Sequence, residues 1–368
     1  MQVSILGAGN GGFAAAAHLT LDGHSVTLFE APEFESALSE VRALGGIELE
    51  TMASTGIEGG FAELANITTN ISEAVRSAEM IFVIVPAFGH RRFAELCAPH
   101  LQDGQVVVLA PGNLYGTLEF ASIVRQRGNT ANVAFAEFDC MMYACRKKDA
   151  TSIWLRGYKH NLGCGVFPAD RSDAVLTKIK ELYPTYRKRE NVLASGLSNP
   201  NGVTHVPLML FNISNVEAGR DMLFYRECLT PSIAHFIEKL DEERMVFHRN
   251  ELFAMQSVSD LDVLWYGHQG VTGNNVVETN TDNPIYPTSK LPTDIGHRYL
   301  TEDVPYGLIP MAELLALFGE QHGTIDTAIQ AACTLCGRDF YQEARTLERV
   351  GFQGRTAEDL LDYVHHGA

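Results

Sequence analysis

The sequence predicts an α/β fold in which an N-terminal doubly wound sheet is followed by a mostly α-helical second domain. Short β-rich runs alternate with amphipathic stretches in the first half, and a glycine-rich turn follows the first of these runs. Long helical periods fill the second half. At 368 residues the chain exceeds the usual size of a single core. We therefore predict two domains, residues 1–188 and 189–368.

The predicted sheet rests on short apolar runs that are typical of buried parallel strands. Two later runs, with a helix over 171–183, are expected to complete the same sheet. The helices between the strands are predicted over 11–21, 71–77 and 88–101. The strand runs are 2–6, 25–29, 80–85, 106–109, 133–136, 152–155 and 162–167.

Beyond about residue 199 the apolar spacing indicates helices. Residues 266–305 interrupt them with a segment rich in Gly, Asn, Thr and Pro. This segment is too long for an ordinary connection, so we expect it to pack over a functional site. The predicted helices are 203–213, 233–255, 311–318, 325–336 and 340–350.

Composition excludes several classes of function. The formal charge of −17 disfavours nucleic acid and anionic membranes as partners, so an anionic substrate needs a local cluster of cationic or N–H groups. Seven scattered cysteines suit a reducing compartment, and Cys333 and Cys336 fit the packing of a helix better than a metal site. No segment approaches the ~20 apolar residues that cross a bilayer. We expect a soluble, cytoplasmic protein without a metal site.

The sharpest local motif is the glycine-rich turn Gly7-Ala-Gly9-Asn10-Gly11-Gly12, placed between a strand and a helix. Gly7 permits a tight turn, Gly9 lets the backbone approach a pyrophosphate, and Gly12 allows close packing of helix on strand. The helix N-terminus adds free N–H groups and a positive dipole end. This context predicts a Rossmann-type dinucleotide site.

Glu30 ends the second predicted strand, where a carboxylate accepts hydrogen bonds from the adenosine ribose. This favours NAD, because a 2′-phosphate would face that negative charge. No Lys or Arg occurs from 31 to 40, so NADP needs a basic residue from elsewhere. Pro86 and Ala87 follow the strand that should face the nicotinamide, and the turn at 109–113 can shape the same pocket.

His205 lies where a polar turn leads into an apolar helix. A histidine among apolar residues is either hydrogen-bonded within the core or functional, and the local sequence leaves both readings open. A partner acid is best sought at residues 298–303, where Arg298, Glu302 and Asp303 lie together. A local surface salt bridge is the alternative there.

Together these segments resemble the opine dehydrogenase family of the octopine and nopaline type, over nearly the whole chain. The similarity is carried by the glycine turn, the Val-Pro-Ala segment, the Asn-x-Asn-x-x-x-His segment that ends at His205, and the motif from Arg298 through Asp303. It is closest to the bacterial enzymes of the N-(1-carboxyethyl)amino acid type. The second domain is then the helical substrate domain.

The resemblance implies roles for individual residues. His205 matches the catalytic histidine, Asp303 matches its aspartate partner, and Arg298 matches an arginine that reaches the cofactor pyrophosphate. Asn201 fits the polar lining near the histidine. Arg146 is not fixed by the family, and we consider it only as a candidate anchor for a substrate carboxylate.

The implied reaction is an NAD(P)H-dependent condensation of a 2-oxo acid, such as pyruvate, with the amine of an amino acid through an imine, together with the reverse oxidation. A related dehydrogenase of a hydroxy acid or polyol phosphate is an alternative, although its candidate Lys239 lies among acidic residues typical of a solvated face. A non-catalytic dinucleotide sensor is another. The expected partners are the two small substrates, and the chain could form a homodimer.

Overall fold

The computed structural model describes residues 1–367, so Ala368, the last residue of the predicted second domain, lies outside it. The described strands follow the chain in this order: β1 Gln2–Leu6, β2 Ser25–Phe29, β3 Gly46–Thr51, β4 Gly60–Glu63, β5 Asn66–Thr68, β6 Met80–Val83, β7 Val106–Leu109, β8 Ala134–Phe138, β9 Tyr143–Lys147, β10 Ser152–Tyr158, β11 Gly163–Phe167 and β12 Arg187–Lys188.

Seventeen α-helices of the described chain connect and follow these strands. They are α1 Asn10–Leu21, α2 Ser39–Leu44, α3 Ile71–Arg76, α4 His90–Cys97, α5 Gly116–Gln126, α6 Ser172–Leu182, α7 Val192–Leu197, α8 Asn201–Phe211, α9 Ile213–Glu217, α10 Pro231–Arg244, α11 Val246–Arg249, α12 Val258–Tyr266, α13 Val276–Thr281, α14 Arg298–Thr301, α15 Ile309–Leu317, α16 Gly323–Cys336 and α17 Ala357–His366. A π-helical turn, Val304–Leu308, joins α14 to α15.

The main sheet has eight strands in the order β12-β11-β8-β7-β6-β1-β2-β5. Every neighbouring pair is parallel except β8 and β11. Side chains of α3, α4 and α5 are buried on one face, and those of α1 and α6 on the other. The predicted doubly wound sheet is therefore confirmed, and its β1 and β6 meet at the centre, beside the glycine turn.

A second sheet was not predicted. It has four strands in the order β4-β3-β10-β9 and packs on α1. The prediction that 152–155 completes the main sheet is wrong, because these residues lie in β10 and pair with β3 and β9. Since α1 lies between two sheets, it is buried nearly all round, which its run of small residues from Ala14 to Ala17 permits.

Two predicted helices differ in the structure. The period over 233–255 is divided into α10 and α11, and the chain after Arg249 is irregular. The helix predicted over 340–350 is wrong beyond a short 3₁₀ turn, Phe340–Gln342. Its backbone is bonded elsewhere, because the Arg345 N–H donates to the Pro305 carbonyl and the Leu347 N–H to Glu313. Tertiary hydrogen bonds thus replace helical ones.

The helical half does not stand apart from the sheet. One continuous apolar core joins the α3, α4 and α5 face of the main sheet to α8, α10, α15 and α16. The segment 266–305 contains α13 and α14, of which α14 packs against α8. No helix within residues 1–367 has the length and apolar character that a bilayer crossing needs. The shared core places α8 and α14 at the carboxyl edge of the central strands.

Candidate active site

The glycine turn has little room for side chains. Gly7 has a φ of +110°, a conformation that L residues rarely adopt, and a Cβ there would press on the Ile84 carbonyl. A Cβ on Gly12 would collide with the Gly7 carbonyl oxygen, so α1 could not approach β1. Gly11 packs against Met141 and Ile84. Glycine is therefore required by close packing at Gly7, Gly11 and Gly12, as the motif predicts for the first and last of these positions.

The same turn leaves space where a dinucleotide would approach. A Cβ on Gly9 would meet no atom within 4 Å, and Gly9 caps α1 without any side-chain hydrogen bond. The first N–H groups of α1 thus face open space at the positive end of the helix dipole. Asn10, which begins α1, is exposed. These features fit a bound pyrophosphate.

The carboxylate of Glu30 is fixed at the end of β2. One oxygen accepts from the Ala8 N–H at 2.7 Å and the other from the Ala31 N–H at 2.8 Å. Backbone donors hold the group in one orientation beside the glycine turn, with its remaining lone pairs free to accept hydrogen bonds from ribose hydroxyls. The structure therefore brings Glu30 to the glycine turn, as the sequence predicted.

The backbone N–H and the backbone carbonyl of Ala87 both form hydrogen bonds with side chains of the helical half. The Ala87 N–H donates to Glu302 at 2.9 Å, and the Ala87 carbonyl accepts from Arg345 at 2.9 Å. Pro86 precedes this residue, directly after the end of β6. The predicted nicotinamide loop is thus held by Glu302 and Arg345, and Arg345 was not identified from the sequence.

Arg298 lies on the other side of Glu302. Its Nε is 3.3 Å from the second Glu302 oxygen, and about half of its side chain is exposed. Burial raises the pKa of Glu302, while the Arg298 cation acts to lower it. The two predicted neighbours therefore form a pair beside the Ala87 loop, and Arg298 retains free donors toward the cleft.

The predicted catalytic pair is in direct contact. Nδ1 of His205, in the middle of α8, is 2.7 Å from an oxygen of Asp303, although the two residues are 98 positions apart. Both side chains are about nine-tenths buried. A carboxylate can only accept, so it fixes the imidazole with a proton on Nδ1 and stabilises the imidazolium when the ring gains a second proton.

Two tyrosines that the sequence did not reveal complete the surroundings of the imidazole. The Tyr225 hydroxyl is 2.8 Å from Nε2 of His205, and the Tyr299 ring stacks on the imidazole at a centroid distance of 3.9 Å. Burial raises the pKa of Tyr225 well above its ordinary value, so this phenol stays protonated at neutral pH. Nε2 therefore faces a neutral hydroxyl donor.

The predicted polar lining is close to this pair. Asn201 lies one helical turn before His205 on the same face of α8, and its side-chain oxygen is 3.9 Å from the Cys140 sulfur. Arg146, on β9, is largely exposed, and its charge acts on the hydroxyl of Tyr299, whose pKa is raised first by burial. Both predicted residues thus border the site.

Two further cations lie on the same wall. Arg156 on β10 donates to the Thr288 hydroxyl, and Lys159 donates to the Met141 carbonyl at 3.0 Å beneath two aromatic rings. With Arg146, they are cations that make no ion pair to any carboxylate of residues 1–367. In a chain of charge −17, these three residues are candidates for binding an anion.

Comparison with known proteins accounts for both halves. Residues 188–336 match the family model for the α-helical domain of NAD/NADP octopine/nopaline dehydrogenase, and residues 2–124 match that for the N-terminus of NAD-dependent glycerol-3-phosphate dehydrogenase. An opine dehydrogenase of Arthrobacter sp. (strain 1C) is 32% identical over 98% of both chains. The chain belongs to the opine dehydrogenase family.

Solved structures share the whole fold of this family member. Octopine dehydrogenase in complex with NADH and agmatine aligns with a TM-score of 0.77 at 18% identity, covering 100% of this chain and 98% of that one. Yersinopine dehydrogenase with NADP⁺ bound aligns with a TM-score of 0.68 at 14% identity, covering 99% and 98%. This opine dehydrogenase is an NAD(P)-dependent oxidoreductase that joins a 2-oxo acid to the amine of an amino acid by reductive condensation.

Proposed function

We propose that His205 and Asp303 catalyse this reaction, with pyruvate as the 2-oxo acid and an amino acid supplying the amine. The observation that carries the proposal is the contact of these two distant residues beside the clamped Ala87 loop. The amine adds to the oxo carbon, and water leaves after the hydroxyl gains a proton, which gives an imine protonated on nitrogen. A bound nicotinamide would supply a hydride to the carbon of this protonated imine, whose nitrogen keeps its proton to give a secondary amine.

The imidazole has the proton chemistry for the condensation. Protonated His205 donates from Nε2 to the departing hydroxyl, and Asp303 stabilises the charged ring during the step. In the reverse direction the neutral ring accepts that proton from water. General acid–base groups of this kind contribute about 10² to 10⁴-fold in rate.

The two substrate carboxylates need cationic partners. We assign this role to the wall formed by Arg146, Arg156 and Lys159. The two arginines can bind carboxylates in bidentate fashion, and the lysine adds a single ammonium. Asn201 adds a polar group near the imidazole. Several cations without ion pairs suit a product that carries two negative charges.

We propose that NAD is the preferred cofactor. The N-terminus of α1, with Gly7, Gly9, Asn10, Gly11 and Gly12, would hold the pyrophosphate, and Glu30 would accept from the adenosine ribose. Pro86 and Ala87 would line the nicotinamide, and Arg298 would reach the pyrophosphate from the helical half. Residues 1–188 and 189–368 are the proposed domains, and the proposed setting is a homodimer in the cytoplasm.

An NADH-oxidation screen tests this function. Pyruvate, 2-oxoglutarate and oxaloacetate are each combined with a panel of amino acids, and oxidation that requires both substrates is the expected result. Oxidation of hydroxy acids without any amine would replace the proposal with a hydroxy-acid dehydrogenase. Tight NADH binding without turnover would indicate a dinucleotide sensor.

The His205→Ala variant tests the catalytic assignment. We expect turnover to fall at least about 10²-fold, because the proton donor is lost, while NADH affinity stays nearly unchanged. His235→Ala, in α10, is the matched control and should keep normal turnover. Undiminished turnover in His205→Ala would remove this residue from the mechanism.

A further inference from the structure

The end of β9 lies across the glycine turn. The Lys147 N–H donates to the Asn10 side-chain oxygen at 2.8 Å, and the Cys145 sulfur is 3.4 Å from the Asn10 carbonyl oxygen. The second sheet therefore brings its own side chains to the place where the first helix begins. Sequence inspection found no basic residue from 31 to 40, but β9 supplies one from another part of the chain.

The side chain of Lys147 is held over that turn. Its ammonium donates to the Ala8 carbonyl at 2.8 Å and lies 3.2 Å from the centre of the Phe13 ring. It makes no ion pair with any carboxylate in the described part of the chain. An ammonium has three donors, and one is used here. Lys147 thus presents a positioned positive charge with hydrogen-bonding capacity to spare.

Lys147 and Glu30 are bonded to the same residue. The Ala8 N–H donates to Glu30, and the Ala8 carbonyl accepts from Lys147. Burial lowers the pKa of Lys147 to about 8, with the nearby Glu30 charge opposing the shift, so the ammonium remains charged at neutral pH. A ribose bonded to Glu30 would therefore lie beside a cation as well as a carboxylate.

We propose that Lys147 contacts the 2′-phosphate of NADPH, which the enzyme accepts as a second cofactor beside NADH. Glu30 repels this phosphate, and Lys147 offsets part of that repulsion with a charge-assisted hydrogen bond. The proposal rests on the placement of the cofactor given under the proposed function. It adds the residue that decides how far the enzyme discriminates between the two cofactors.

Binding measurements without turnover test the proposal. NADH and NADPH are titrated by fluorescence, and 5′-AMP and 2′,5′-ADP by calorimetry, with the wild type and with Lys147→Gln. In the variant, we expect NADPH and 2′,5′-ADP to bind about 10-fold more weakly, because one charged hydrogen bond is lost. NADH and 5′-AMP should stay within about 2-fold, since they lack the phosphate concerned.

Lys148→Gln is the matched control. Lys148 is the next residue, pairs with Glu50 at 2.5 Å and is exposed, so its loss should leave all four affinities unchanged. Equal weakening of NADH and NADPH in Lys147→Gln would place Lys147 on the pyrophosphate and overturn the proposal. Unchanged affinities would also contradict the proposal and would leave Lys147 with only a packing role against Phe13. A wild type that binds neither dinucleotide would instead refute the placement of the cofactor.

A second measurement uses the wild type alone, so it does not depend on the folding of a variant. The charged group that faces the ammonium is Glu30 from β2, while the glycine turn and α1 contribute the Ala8 carbonyl, Asn10 and Phe13. Raising the pH from 7 to 9.5 removes the Lys147 proton. The wild type should then lose affinity for 2′,5′-ADP relative to 5′-AMP, and a constant ratio of the two affinities would contradict the proposal.

Discussion

At the scale of single residues, the imidazole of His205 is bonded at both nitrogens. Asp303 holds Nδ1 and the neutral hydroxyl of Tyr225 meets Nε2. Because Nδ1 is held by Asp303, a substrate can approach only Nε2, which Tyr225 already contacts. We therefore expect the Tyr225 hydroxyl to take part in proton transfer or in binding the oxo group.

The Tyr225→Phe variant tests this role. We expect kcat to fall about 10-fold, because one neutral hydrogen bond to the imidazole is removed, whereas NADH affinity should stay the same. Steady-state kinetics with both substrates measure the change. Tyr341→Phe, which alters an exposed tyrosine, is the control. A normal kcat in Tyr225→Phe would leave the phenol as a packing group only.

The sequence revealed only part of this residue set. His205 and Asp303 could be named because their segments carry a family motif, and the structure shows that they touch. Tyr225, Tyr299 and Lys147 could not, because a single aromatic or basic residue in an irregular segment, a one-turn helix or a short strand has no spacing that points to a site. Their roles arise from contacts across 20 to 139 positions, which only the folded chain displays.

At the scale of elements, the Ala87 loop depends on α14 and on the irregular segment near Arg345. Glu302 is adjacent to Asp303, so the group that anchors the loop and the group that orients His205 share one turn of chain. A shift of this turn would move the His205–Asp303 pair and the Ala87 loop together. We therefore expect the position of this loop to be linked to the alignment of the imidazole.

The Glu302→Ala and Glu302→Gln variants test this link. Alanine removes the acceptor for the Ala87 N–H, and we expect kcat to fall more than about 10-fold through misplacement of the loop. Glutamine keeps an amide oxygen at that position and should recover much of the rate. Rates are compared with NADH dissociation constants, and equal kcat values in the two variants would exclude a positioning role for the acceptor.

Elements with a simple period were predictable, and those set by tertiary contacts were not. Most strands of the main sheet are short apolar runs, and α8 and α16 have clear helical spacing. The two edge strands of this sheet, β5 and β12, were not predicted, because they are two or three residues long and largely polar. The four-stranded sheet was missed because β3, β4 and β9 contain few consecutive apolar residues, and the run 152–155 of β10 does not show which sheet it joins. The helix predicted over 340–350 failed because backbone N–H groups of Arg345 and Leu347 donate to Pro305 and Glu313 instead of to helical carbonyls.

At the scale of the whole molecule, one buried carboxylate joins the two halves. Glu119 on α5 pairs with Arg345 at 2.8 Å, with Arg349 at 2.9 Å and with Arg91 of α4 at 2.8 Å. The same Arg345 also bonds the Ala87 carbonyl and stacks over Tyr306. The stability of the folded chain and the position of the nicotinamide loop therefore depend on one ionised group.

Protonation of Glu119 should weaken this junction at acid pH. Burial acts to raise its pKa, but Arg345 and Arg349 outweigh that effect and lower it to about 2. A carboxyl group with a depressed pKa stabilises the fold above its unfolded value near 4.5, and this stability is lost as the pH falls toward 2. The shift corresponds to about 3 kcal/mol of unfolding free energy at neutral pH.

The Glu119→Gln variant measures that contribution. It leaves the buried Arg345 without its anion, so we expect the free energy of unfolding at pH 7 to fall by about 3 to 5 kcal/mol. In urea titrations at successively lower pH, the gap from the wild type should narrow below about pH 4.5. In this range the carboxyl of the unfolded wild type gains a proton, while that of the folded protein stays ionised until the pH approaches 2. Glu95→Gln, which breaks the surface pair with Arg127, should cost less than about 1 kcal/mol at any pH. A gap for Glu119→Gln that stays constant down to the lowest pH at which both proteins fold would mean that the carboxylate charge does not hold the two halves together.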